Sequence, residues 1–131
     1  MTEPLTKIVF LLVGLINFLP VMGVMGPGTL GALYDVEVAD DMTLTLLMQH
    51  RAMLFGLLGG LILFASFRAA LRPVAMVLGY LSMLGFIVLY LGSGAPDVLM
   101  NIFWADVAGC VLFTVPLLLT RFGGDRASDA T

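Results

Sequence analysis

The chain has 131 residues, enough for one domain, and 60% of them are apolar against 11% charged. A mean hydropathy of +1.08 leaves too little polar surface to coat a soluble core. The net charge of −3 with no basic cluster argues against nucleic acid as a partner, and one cysteine, Cys110, excludes both an intrachain disulfide and a cysteine-built metal site.

Lipid is the alternative solvent, and the chain carries four apolar runs of near-spanning length. The expected fold is an all-α integral membrane protein. It is a bundle of four transmembrane helices forming a single membrane domain, with spans near residues 5–25, 45–67, 74–91 and 98–120. The first span follows Lys7 with an apolar core from Ile8 to Leu19 and no small-residue cleavage site, so it reads as a retained signal-anchor. Pro20 removes one helical hydrogen bond and predicts a kink. Asn17 is costly in hydrocarbon without a neighbour, so it should face inward.

Gly26, Pro27 and Gly28 stop the first helix. Leu30, Leu33 and Tyr34 then have the i, i+3, i+4 spacing of a short interfacial helix, with Tyr34 at headgroup level. Asp35 to Val38 reads as extended. Asp40 or Asp41 is placed to cap the second helix, where a carboxylate suits the positive N-terminal end. Within that helix Gly56 and Gly60 form a GxxxG pair that permits close approach of another helix. Arg68 to Pro73 is a tight basic turn, and residues 92–97 are a loop. The fourth span carries Asn101, Trp104, Asp106, Pro116 and a small pair, Ala105 and Gly109. A polar tail follows at 121–131.

Lys7, Arg68, Arg72, Arg121 and Arg126 all fall on one side of this topology, and Asp35, Glu37, Asp40, Asp41 and Asp97 fall on the other. The positive-inside rule then predicts a multi-pass membrane protein with both termini cytoplasmic.

Against this background Gln49, His50 and Arg51 stand out. Arg51 lies 17 residues before Arg68, and Asp106 lies 15 before Arg121. At ~1.5 Å per residue their heights agree within about 3 Å. Tyr90, 18 residues past Arg72, falls in the same layer, with Asn17 beneath it and His50, Asn101 and Trp104 nearby. An unpaired charge near a helix centre costs roughly 2.5–3.5 kcal/mol, so Arg51 and Asp106 are expected to pair in the outer half of the bundle. Four roles for the pair remain open: a structural clamp, a cavity for a small lipophile, a proton relay through His50, or an Arg51 that snorkels to the interface. His50 stands about 100° around the helix from Arg51 and reads as interfacial. It is the only histidine, so neither bis-histidine haem ligation nor a metal set is expected. No phosphate loop, calcium loop or serine-hydrolase arrangement is present, and no catalytic residue is assigned.

The segments Leu33-Tyr34-Asp35-Val36-Glu37-Val38-Ala39-Asp40, Gln49-His50-Arg51-Ala52 and Gly56-Leu57-Leu58-Gly59-Gly60 resemble small bacterial four-helix membrane proteins of a broadly DoxX-like kind. The resemblance covers most of the chain. It implies four spans with a periplasmic connection after the first, and an association of some members with quinone-linked oxidoreductases. The expected function is an accessory or small-lipophile-binding membrane protein that takes no cofactor beyond a bound lipid or quinone. The alternative is a subunit or anchor of a quinone-linked complex. Expected partners are the bilayer and a homo-oligomer or larger membrane complex, with Gly56 and Gly60 as the self-association face.

Overall fold

The computed structural model describes the backbone of residues 2–34 and 40–128, and the side chains of residues 3–34 and 40–119. The chain is all-helical among these residues. It comprises α1 (Thr2–Phe18), α2 (Pro27–Tyr34), α3 (Met42–Phe67), α4 (Arg72–Gly92) and α5 (Met100–Ser128). Among the described residues four segments are long and apolar enough to cross a membrane: Glu3–Met25, Met42–Phe67, Ala69–Gly92 and Asp97–Leu119. The extended reading of Asp35 to Val38 lies outside the described residues. The last helix continues to Ser128, past residue 120 where the hydropathy ends the span.

Local chemistry sets the helix ends. Pro20 has no N–H to offer the Ile16 carbonyl, and the α-helix gives way at that point to a 3-10 segment, Leu19–Met25. A 3-10 run of 7 residues is long, because its hydrogen bonds are poorer than those of an α-helix. Gly26, at φ +149°, then turns the chain through a conformation that side chains rarely adopt. Its carbonyl accepts from the Leu30 amide at 3.1 Å to start α2. Asp41 caps α3, accepting the Leu44 amide at 3.0 Å.

α1 and α4 each pack against both α3 and α5, so the four long helices form a ring. The main core lies toward the end that carries the α3–α4 turn. Val9, Phe10, Val13, Ile62, Ala65, Ala75, Met83 and Phe113 close it, with Phe10 and Phe113 rings 5.2 Å apart. A second, small core forms at the opposite end, where Leu30 and Tyr34 of α2 pack on Met48 and Ile102. α2 therefore acts as a lid. Tyr34 is buried against the bundle, and Leu33 is exposed.

The closest helix approach is that of α1 and its 3-10 extension to α3. A Cβ on Gly59 would collide with the backbone of Asn17 and Phe18, and one on Gly56 would collide with Val21. Gly60 has open space beside it. Gly56 is thus spent inside the chain, and its packing partner in α3 is Gly59, not Gly60. Gly109 packs on Met83.

At the turn end Arg72 joins three helices. Its guanidinium donates to both Glu3 carboxylate oxygens at 2.8 and 2.7 Å. It also donates to the carbonyls of Ala65 and Ser66 at 3.2 and 3.0 Å. Those carbonyls belong to the last turn of α3, which has no helical donors left for its final oxygens.

Candidate functional site

Between the main core and the α2 lid, the helices leave a cavity of about 170 Å³. Its polar walls come from three helices and the lid: Asn17 of α1, Arg51 of α3, Asn101 and Asp106 of α5, and Tyr34 of α2. Ile16, Pro20, Phe55, Ile102 and Ala105 supply the apolar remainder. Asn101 is exposed, and Ile16, Pro20, Ile102 and Ala105 are half-buried, so the cavity opens along the seam between α1 and α5.

Arg51 is held by rings. Its guanidinium carbon lies 5.2 Å from the Phe55 centroid, 5.3 Å from Phe86 and 6.0 Å from Tyr34. Such contacts favour a desolvated cation by about 2 kcal/mol or more, but they leave its N–H donors unused. Among the described residues Arg51 makes no hydrogen bond, and the ion pairs within 4.0 Å are Glu3–Lys7 and Glu3–Arg72. The direct Arg51–Asp106 pair expected from depth is therefore not formed. The two groups stand on walls of one cavity, because the rings draw the guanidinium to the α3–α4 side. Arg51 and Phe55 also wall a second cavity of about 200 Å³ between α3 and α4, with Ser82 on its far side.

Asp106 and Asn17 also line the cavity. Asp106 is only 6% exposed and accepts no hydrogen bond among the described residues. Asn17 is 2% exposed. Its amide nitrogen donates to the Val13 carbonyl at 2.9 Å and reaches the Met83 sulfur at 3.9 Å, while its Oδ1 is buried without a donor. An unmet buried acceptor costs about 1–3 kcal/mol, so such atoms are uncommon in finished cores. On the lid, burial pushes the Tyr34 phenol above its ordinary range, and it stays protonated as a hydrogen-bond donor.

The remaining sequence candidates divide. Tyr90 is buried but does not line the cavity. It stacks on Phe103 at 4.8 Å and Phe86 at 6.1 Å, and so backs the ring under Arg51. Trp104 is 60% exposed and meets only the edge of Phe103, at 5.2 Å. His50 is exposed, in a shallow groove with Val24, Leu46 and Met53. Gln49 ties α3 to the 3-10 segment by donating to the Val24 carbonyl at 3.2 Å. Ala105 lines the cavity. The site gains Tyr34, Phe55 and Phe86, which depth counting on charged and amide residues passes over. The i, i+4 spacing of Arg51 with Phe55 was the available signal.

Among the described residues no three His, Cys, Asp or Glu side chains gather as a metal would require. No protein-family model, curated protein or solved structure matches the chain.

Proposed function

We propose that the protein is a multi-pass membrane protein, of the DoxX-like four-helix kind, that holds the polar head of a small amphiphile in the Arg51–Asp106 cavity. Its termini lie on the cytoplasmic side, and the cavity sits in the outer half of the bilayer. One observation carries the reading: a guanidinium and a carboxylate that make no hydrogen bond among the described residues line one small cavity. A purely structural cluster would bond these groups to one another.

The size suits a head group. An apolar cavity of about 150 Å³ accommodates one benzene, so about 170 Å³ takes a single ring or a three-carbon polar head. The route suits a lipid, because the opening runs along a helix seam whose neighbours are large exposed apolar side chains such as Leu12 and Leu19. The ligand's tail would then lie against α1 and α5. No step of covalent chemistry is assigned to the site.

The test is organic extraction of the detergent-purified protein, followed by mass spectrometry. The expected result is one amphiphile enriched to near one per chain over its share of the host membrane. Extracts with only bulk membrane lipids, in bulk proportions, would count against the reading.

A further inference from the structure

Arg51 walls two cavities, and neither Asp106 nor Asn17 lines the second. That cavity lies between α3 and α4, has a volume of about 200 Å³, and is lined by Arg51, Leu54, Phe55, Leu58 and Ser82. We propose that it binds the carboxylate head of a single-chain amphiphile, a fatty acid, entering from the bilayer through the α3–α4 seam. The inference goes beyond the reading above and does not rest on it, because the two cavities share only Arg51 and Phe55.

Ser82 supplies the observation that Arg51 alone would not. A hydroxyl in a helix commonly donates back to a carbonyl of the preceding turn. Ser66 does so to Leu63 at 2.7 Å, Ser93 to Tyr90 at 2.9 Å and Thr114 to Cys110 at 2.8 Å. Ser82 makes no hydrogen bond among the described residues, and neither does Arg51. The polar groups of this cavity are therefore a guanidinium, which only donates, and a hydroxyl with a proton to give. No acidic side chain lines it, so the negative charge must come with the ligand. A carboxylate fits, since its two oxygens can accept from both donors and its plane matches the guanidinium fork. The other walls, Leu54, Phe55 and Leu58, are apolar and suit methylenes, and Leu54 is exposed where the cavity opens. An apolar cavity of about 150 Å³ accommodates one benzene. About 200 Å³ thus takes a carboxylate with its first methylenes, and leaves no room for the phosphoglycerol of a two-chain lipid.

The experiment is the thermal unfolding of the full chain in phosphatidylcholine nanodiscs, titrated with oleate, oleyl alcohol or butyrate at an alkaline pH that keeps the acids ionised. Oleate and oleyl alcohol share a tail, so their difference reads the head. Butyrate has the head without a tail that enters the bilayer. Oleate is expected to protect at concentrations about tenfold or more below either of the others, the size of one hydrogen bond to a charged group. Ser82→Ala keeps the shape of the cavity and removes the hydroxyl. It is expected to weaken oleate about tenfold without lowering the ligand-free midpoint, because that hydroxyl bonds nothing else among the described residues. A general effect of anionic charge on the disc would act on this variant and the wild type alike. Equal protection by oleate and oleyl alcohol, protection by butyrate at the same concentration as oleate, or an unchanged oleate titration in Ser82→Ala would each overturn the inference. The amphiphile reading of the first cavity is judged separately, by the extraction experiment.

Discussion

Two arginines in this bundle lie over aromatic rings, and they are bonded in opposite ways. Arg72, over Phe10 at 5.8 Å, makes four hydrogen bonds to Glu3, Ala65 and Ser66. Arg51, over Phe55, Phe86 and Tyr34, makes none among the described residues. Arg72 is complete within the protein: it neutralises a carboxylate and caps the bare carbonyls at the end of α3. Among the described residues Arg51 is engaged only on its ring side. A network satisfied by its own chain holds helices in register, whereas a guanidinium and a carboxylate left without hydrogen bonds beside one cavity are what the proposed ligand would complete.

The largest effect should come from forcing apart the seam that forms one wall of the cavity. Gly59→Leu must push the side chain into the backbone of Asn17 and Phe18, and a loss of about 3 kcal/mol is expected. Denaturant titration in mixed micelles measures it. Gly60→Leu meets open space and should stay within about 0.5 kcal/mol of the wild type.

Next comes the clamp. Arg72→Leu leaves the Ala65 and Ser66 carbonyls unmet and should cost about 2 kcal/mol in the same titration. Retention of the amphiphile should not change. Loss of amphiphile in proportion to lost stability would erase the distinction between the two arginines.

The cavity charges give a smaller and more diagnostic result. Arg51→Leu and Asp106→Leu each remove one of two charges that line the same cavity, and the double variant should recover about 1 kcal/mol of the summed losses. Strictly additive losses would show that the two walls do not sense each other. Asn17→Leu should be the mildest of the set. It removes the orphan Oδ1 but also the Nδ2 bond to Val13, so the ligand-free stability should stay level or rise by about 1 kcal/mol.

The four long helices were legible because hydrophobic length is a one-dimensional property. The shared cavity of Arg51 and Asp106, with Asn17 also lining it, was legible for a related reason: helical rise is constant, so height can be counted from the charged ends, although the same count put Tyr90 in that layer and Asn17 beneath it. Rotation about each helix axis was not legible. A helix with apolar residues all round has no periodic stripe to orient it. That is why Trp104 and His50 share the layer yet lie outside the cavity, while Tyr34, carried in by a helix beyond the spans, lies inside it. Lateral distance was equally hidden, since the rings that draw Arg51 from Asp106 belong to three different helices. The Glu3–Arg72 clamp went unread because the sequence presents Glu3 as part of an end and Arg72 as a marker of orientation. Only the fold shows that they meet.

The central claim is that Arg51 and Asp106 serve a ligand while Arg72 serves the fold. Native mass spectrometry of the wild type, Arg72→Leu and the Arg51→Leu/Asp106→Leu double variant tests it most directly. The account predicts a retained amphiphile on the wild type and on Arg72→Leu, and a folded double variant that carries none. Equal retention by the double variant, or a wild type with nothing bound, would contradict it.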